Sequence, residues 1–442
     1  MIKITFLGAG STIFAKNVIG DCLLSENLRE NLEIALYDID KERLEESELL
    51  IKALNAKYNE GRAVIKSYLG VENRKEAFRG ADFIINAIQV GGYDPCTIID
   101  FEIPKKYGLR QTIADTVGIG GIMRALRTIP VMRDFAREIE EVAPNAWFLN
   151  YTNPMCMLTN YMQRFTKVKT VGLCHSVQVC VDHLLPRLGL EEYKDNYIAE
   201  IAGINHMAWL LKLTDKQGND LYPLVRKIAT ENNFKQKHVD MVRFEYITRL
   251  GYYCTESSEH NAEYNPFFIK SRYPELIEKY NIPLDEYPRR CVNQIANWKK
   301  QKEELWNGGS ISHKRSGEYG SRIIEAMVTN TPYQIGGNVL NTGLITNLPS
   351  DATVEVPCLV DASGIHPTVV GALPTQLAAM NSTNVYPQLL TVEAAVTKDR
   401  SKVYQAAMLE PHTAAELSID DIVKMCDEML DAHEKAGFPC LV

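Results

Sequence analysis

The chain has no surplus of positive charge. Its 48 Lys and Arg face 56 Asp and Glu, a net charge of −8, so nothing in the bulk balance would neutralise nucleic-acid phosphates or an anionic membrane. No nucleic-acid or membrane partner is therefore expected. Long hydrophobic runs are missing as well. Stretches such as "FIINAIQV" fall far short of the ~20 apolar residues that span a bilayer. Met1 leads directly into "IKITFLGAGS", which already reads as a buried strand and turn, so no cleavable leader is expected. The ten cysteines include no pair at CxxC spacing, so a zinc ribbon or disulfide scaffold is not indicated. A cytoplasmic protein with reduced thiols is the expectation. Internal repeats, low-complexity tracts and linkers are likewise absent.

What is present is a chain of 442 residues, too long for one ordinary core and suited to two closely packed domains. Up to about residue 195 strands and helices alternate. Ile4–Leu7 reads as a strand, Thr12–Leu24 as a helix, and Ile34–Tyr37 as a strand ending in Asp38. Lys41–Tyr58 reads as a charged helix, Phe83–Ile88 as an apolar strand and Met123–Val142 as a long amphipathic helix, with further strands at Trp147–Leu149 and Val168–Leu173. Apolar strands alternating with helices predict a parallel sheet covered on both faces. From about Tyr197 the pattern changes to strands and turns interrupted by long helices at Pro283–Glu304 and Ile419–Ala436. We therefore expect an α/β, Rossmann-like, doubly wound, mostly parallel sheet over residues 1–195. A second, α+β domain with antiparallel strands is expected over 196–442, with the active site between the two.

"FLGAGST" puts Gly8 and Gly10 after a strand, with Ser11 and Thr12 opening the next helix. Glycines there permit a sharp turn and close approach of a pyrophosphate to a helix N-terminus. The third glycine of the usual fingerprint is missing, because Ile13 occupies its place. Asp38 closes the second strand, where a carboxylate accepts from ribose hydroxyls and repels a 2′-phosphate, favouring NAD over NADP. The plainer role for Asp38 is to cap the following helix, which Asp40 could do equally well.

Three further stretches lie where later strands should open: "QTIADTVGIGGIMRALR", "LNYTNPM", and "GLCHS" with "GINHMAW". Cys174 and His206 could share a cation, although as bare spacing a lone cysteine ending a strand is more often core. Taken with "GAGSTIFAKN", "YDID", "GGYDPCT", "TESSEHNAEYNPFFIK" and "LDEYPRRC", these strings resemble glycoside hydrolase family 4. The resemblance covers essentially the whole chain and is most similar to the α-galactosidase branch. It implies NAD and a divalent metal, usually manganese (Mn2+), a small α-galactoside substrate, and a homo-oligomer, dimer or tetramer.

The resemblance also implies a chemistry. The sugar is oxidised at C3, a protein base removes the acidified C2 proton, the C1–oxygen bond is eliminated, water adds and the hydride returns. It assigns Cys174 and His206 to the metal, His175 to protonation of the leaving oxygen, Asn153 and Arg290 to the sugar. Tyr264, tuned by Asp115, matches the C2 base, with His260 as the rival. Plainer roles stand beside each: helix capping for His175 and Asp115, a turn before Pro154 for Asn153, a surface ion pair for Arg290, and packing for Tyr264 and His260. Rival functions are an α-galacturonidase, a 2-hydroxy-acid dehydrogenase and a non-catalytic NAD-binding protein.

Overall fold

The computed structural model describes residues 1–306 and 312–441. Six strands, β1 (Ile2–Leu7), β2 (Leu32–Asp38), β3 (Val64–Leu69), β4 (Phe83–Asn86), β5 (Trp147–Asn150) and β6 (Lys169–Gly172), pair in parallel in the order β3-β2-β1-β4-β5-β6. Their sequences explain the burial. Successive side chains point to opposite faces, so in β4 Phe83 and Ile85 enter one hydrophobic cluster while Ile84 enters the other. Phe148 and Leu149 divide in the same way in β5. The order reverses between β1 and its neighbours β2 and β4, and ligands of doubly wound sheets bind at such a switch point.

The sheet does not stop at the end of this half. β10 (Tyr333–Leu340) joins β6 antiparallel through Asn338 and Gly172, and β11 (Thr353–Asp361), β7 (Tyr197–Ile204), β8 (Met207–Asp215) and β9 (Tyr253–Cys254) continue it antiparallel, with β12 (Gly364–Pro367) beside β11. The Rossmann-like sheet and the antiparallel region thus form one continuous sheet. The last helices return to the first half. Val392 and Ala395 from Thr375–Thr397 and Met425 and Met429 from Ile419–Lys435 join the cluster that holds Ile122 and Leu126 of helix Gly118–Val142. Helix Thr375–Thr397 spans both halves: Asn381 and Asn384 donate to the Met207 and Tyr264 carbonyls, while its C-terminal Val392 and Ala395 bury against the first half. Among the described residues no helix is long and apolar enough to cross a membrane.

Candidate active site

The glycine turn follows β1 directly. Gly8 has φ of +78°, and a Cβ there would come within 2.7 Å of the Ala87 carbonyl oxygen, so only glycine fits. A Cβ on Gly10 would meet Asp38 Oδ2 at 2.7 Å, because the Gly10 amide donates to that oxygen at 2.6 Å. Asp38 therefore buttresses the turn, and Asp40 caps helix Lys41–Asn59 by accepting from the Arg43 amide. Ser11 sits at the N-cap of helix Thr12–Leu24 without a side-chain cap bond, and that first turn carries no acidic residue. Uncompensated first-turn amides suit a phosphate, so the turn fits a dinucleotide. Thr12 turns inward, its hydroxyl within 3.1 Å of Ser47 Oγ. Ile13, at the place of the missing glycine, is 51% exposed, so no close packing demands glycine there.

Cys174 lies two residues beyond β6. The Tyr319 hydroxyl accepts from its amide at 2.7 Å and donates to its carbonyl at 3.0 Å, clamping the backbone from both sides. His206 occupies the tight turn between β7 and β8, where Ile204 pairs with Met207, and it holds φ of +64°. Glu256 follows β9 with φ of +60°, and the Thr255 amide bonds to the Ala208 carbonyl at 2.7 Å, which brings Glu256 beside His206. Ala114, just before Asp115, is also left-handed at +54°. Strained non-glycine backbone of this kind costs about 1–3 kcal/mol per residue and gathers at functional sites.

Donor atoms of Cys174, His206 and Glu256 all lie within 4.8 Å of one another. One divalent ion at ligand distances of roughly 2.0–2.4 Å can bridge atoms so spaced. The carboxylate suits a manganese-like ion and the imidazole a borderline one, while the thiolate is softer than manganese prefers, so affinity should be modest. The hydrogen bonds also orient the imidazole. The Thr116 hydroxyl donates its only proton to Asp115 Oδ1 at 2.9 Å, so it accepts from His206 Nδ1, also at 2.9 Å. That tautomer leaves Nε2, 3.5 Å from Glu256 Oε2, free for the metal.

Burial works against charge on His206, but Cys174 and Glu256 outweigh it and lift its pKa to about 10. Burial also opposes ionisation of Glu256, yet His260 and His206 hold its pKa at about 2. A divalent ion entering the site must displace the imidazole proton. We expect at least one proton released per ion, and affinity that weakens up to about tenfold per pH unit as pH falls below 10. Titration calorimetry with manganese in two buffers of different ionisation enthalpy checks this; binding without proton release would contradict it.

The remaining candidates surround this cluster. Asn153 Nδ2 donates to Asp115 Oδ2 at 3.0 Å, bringing two expected site residues together. Asp115 does not cap helix Gly118–Val142, whose N-cap is Val117. The half-exposed His175 makes no cap either; its Nε2 lies 2.5 Å from Glu318 Oε2. Burial disfavours the charged ring, but the Glu318 hydrogen bond and charge prevail and raise its pKa. Tyr264 is fully buried with its hydroxyl 3.2 Å from His206 Nδ1, and burial, then Asp115, push the phenol well above its ordinary range. The His260 ring stands 5.3 Å from that of His206, with Nδ1 2.6 Å from Ser257 Oγ, and burial draws its pKa down. Arg290 is held between Glu286 Oε1, at 3.0 Å from Nε, and Glu259.

Sequence reasoning missed three carboxylates. Glu256 lies inside the "TESSEH" string, and its distance from His206 along the chain gave no spacing signal. Glu318 reaches His175 on a loop pinned to the first helix, where Asp21 accepts from the Ser316 amide and hydroxyl at 2.9 and 2.6 Å. Glu263 takes the amides of Thr112, Ile113 and Ala114 at 2.7, 3.2 and 2.8 Å, tying the loop that carries Asp115 to the residue before Tyr264.

Comparison with known proteins identifies the family. Residues 3–190 match the family 4 glycosyl hydrolase description and residues 201–413 its C-terminal domain. An alpha-galactosidase of Bacillus subtilis (strain 168) is 62% identical over 433 residues, 98% of each chain. An alpha-galacturonidase of Thermoanaerobacter italicus is 30% identical, over 97% of this chain and 96% of its own. A 6-phospho-alpha-glucosidase from gut microorganisms, solved in complex with NAD and Mn2+, shares the fold with a TM-score of 0.80 at 21% identity, covering 100% of both chains. The motifs, the glycine turn and the thiol–imidazole cluster thus have one common explanation: the chain belongs to family 4 of the glycosyl hydrolases.

Proposed function

We propose that this protein is an NAD- and manganese-dependent α-galactosidase. The observation that carries the reaction type is the Cys174–His206–Glu256 cluster, with its donor atoms within 4.8 Å, on the same sheet as the glycine turn. The full-length 62% identity to an alpha-galactosidase supports the substrate.

Gly8, Gly10, Ser11 and Thr12 form the turn that would hold the dinucleotide. Asp38 keeps it in shape through the Gly10 amide and would accept from the ribose hydroxyls of a bound nucleotide. Cys174, His206 and Glu256 hold the metal. When bound, NAD supplies the hydride acceptor and donor for C3 of the sugar, and manganese the Lewis acid for the neighbouring oxygens. Tyr264 is our choice for the base at C2: its hydroxyl lies against His206, so the charge of the ion reaches it across one imidazole. His260 is the alternative base. His175, whose pKa the Glu318 hydrogen bond and charge raise against the effect of burial, gives its proton to the leaving oxygen. Asn153 donates one amide hydrogen to Asp115 and offers its oxygen to a sugar hydroxyl, and Arg290 stands at the edge of the cleft. The sum is hydrolysis without net redox change.

The test is a comparison of nitrophenyl α-galactoside, α-galacturonide and 6-phospho-α-glucoside with NAD and manganese added. Cleavage of the galactoside in preference to the other two is expected, with no accumulation of NADH. Accumulating NADH would indicate a dehydrogenase instead. Asp38→Ala should raise the NAD concentration for half-maximal activity about tenfold or more, the loss of one charge-assisted bond, and leave the manganese requirement unchanged. An unchanged NAD requirement would remove Asp38 from the nucleotide site. We also propose a cytoplasmic homo-oligomer. The ten free, buried thiols suit a reducing compartment, and Val292 and Ile295, about half exposed on one face of helix Glu286–Trp306, suit a subunit contact. Fractionation and light scattering test these two points.

A further inference from the structure

Galactose, galacturonate and the hexose 6-phosphates differ at the substituent on C5, which is respectively a neutral hydroxymethyl, a carboxylate and a phosphate ester. An anion buried in a cleft without a free cation is strongly disfavoured, so the state of the cations around the cluster decides which of these sugars can enter. Among the described residues three arginines lie against this site: Arg243 and Arg290 are paired with carboxylates, and Arg124, only 6% exposed, has Nη1 3.4 Å from the Tyr287 hydroxyl. Arg243 bonds to Asp240 through Nε and Nη2 at 2.5 and 2.9 Å. Arg124 lies over the Tyr287 ring, 5.6 Å from its centroid, in the field of Asp115. Arg290 has Nε on Glu286 and Nη2 on Glu259.

Arg290 is the most exposed of these, with 41% of its side chain open to solvent, and its partner Glu259 adjoins His260, whose ring stands 5.3 Å from that of His206. Glu259 immediately precedes His260, and its carbonyl accepts the Thr112 hydroxyl at 2.6 Å, on the loop that leads to Asp115. That bond joins the two segments that border the metal cluster, and the clamp ties helix Glu286–Trp306 to one of them. Glu286 also takes Arg289 Nη2 at 2.7 Å, so the group is balanced, with two carboxylates for two guanidinium groups. An entering uronate or phosphate would have to displace one of those carboxylates from Arg290, in a site where Asp115 and Glu256 add further negative charge.

We propose that Glu259 and Glu286 are specificity-determining residues that occupy Arg290 and restrict this enzyme to sugars carrying no charge on the C5 substituent. The inference rests on the α-glycosidase reading above but is read separately from it, because product binding reports on it without turnover. Glu259→Gln and Glu286→Gln each remove one competing charge while keeping a hydrogen-bonding side chain. In either variant, the affinity for galacturonate relative to galactose, measured by calorimetry on the protein loaded with NAD and manganese, should rise about tenfold, equivalent to about 1.4 kcal/mol. The ratio of kcat/KM for nitrophenyl α-galacturonide over α-galactoside should rise in parallel, and further in the double variant. Adding Arg290→Met to the double variant should erase the gain.

Variants that bind galactose as the wild type does, with both ratios unmoved, would overturn the proposal, as would a wild-type protein that already prefers galacturonate. A protein that hydrolyses neither glycoside contradicts the α-galactosidase reading, and the binding ratio still decides the role of the clamp. Glu286→Gln lies in the first turn of an exposed helix, so one arm of the test does not depend on a buried site tolerating change.

Discussion

Cys174→Ala is expected to abolish hydrolysis and, in the same protein, the stabilisation conferred by manganese. The two losses share one cause. The thiol is one of three donors within 4.8 Å of one another, and removing it takes away the only sulfur ligand of the set. Lewis-acid stabilisation of developing charge is worth several kcal/mol, so activity should fall at least about a thousandfold, roughly 4 kcal/mol. Manganese at 100 times its Kd stabilises the wild type by about 2.7 kcal/mol. If the variant binds a hundredfold more weakly, the same concentration gives about 0.4 kcal/mol. His206→Ala should behave alike. Cys156→Ala is the control: that thiol is buried 3.8 Å from the Thr353 carbonyl oxygen, outside the cluster. It should lose fold stability, by about 0.5–3 kcal/mol, and keep its response to manganese. Thermal unfolding with and without the ion separates the cases. A Cys174→Ala protein that turned over normally with manganese would refute the metal assignment.

Tyr264→Phe is expected to lower kcat by about 10² to 10⁴, the range of a general base, while manganese and NAD still bind and stabilise. The change removes one oxygen from a fully buried ring, so the packing is preserved. The hydroxyl's contact with His206 Nδ1 at 3.2 Å is lost, but Thr116 still holds that nitrogen at 2.9 Å, which is why the metal site should survive. His260→Ala is expected to cost less, because this ring bonds to Ser257 Oγ and flanks the metal ligands. If His260→Ala silences the enzyme and Tyr264→Phe leaves kcat near wild type, the roles are reversed. Binding of manganese and NAD, measured on the same variants, keeps a misfolded protein from counting as a catalytic result.

The parts of this arrangement that depend on local pattern were legible in the sequence. A buried strand, a glycine turn and a helix follow one another at Ile2–Leu7 and Thr12–Leu24, because backbone geometry and hydrophobic periodicity act over a few residues. Ile13 departs from the fingerprint yet the turn forms, since that position faces solvent. The parts that depend on contacts distant in sequence were not legible. The continuation of the sheet from β6 to β10 joins residues 166 apart, through Asn338 and the Gly172 carbonyl. Glu318 reaches His175 over 143 residues. No periodicity marks such contacts, and a glutamate that orients a histidine looks in sequence like any surface glutamate. Glu256 was hidden for the same reason: its place beside His206 is set by the pairing of β9 with β8. The Glu259–Arg290–Glu286 clamp reads in the sequence as ordinary charge on helices, and only its position beside His260 gives it meaning.

The central claim is that the glycosidic bond is broken by way of carbon–hydrogen chemistry at C2 and C3, and hydrolysis of an α-galactoside in deuterated water tests it most directly. An ordinary carboxylate glycosidase develops its charge at the anomeric carbon and leaves the C2 hydrogen untouched. A base that removes the C2 proton exchanges it with solvent before returning it. The released galactose, examined by NMR or mass spectrometry early in the reaction, should therefore carry deuterium at C2, and the exchange should vanish together with turnover in the variant that lacks the base. Galactose released at full rate with only hydrogen at C2 would contradict the account.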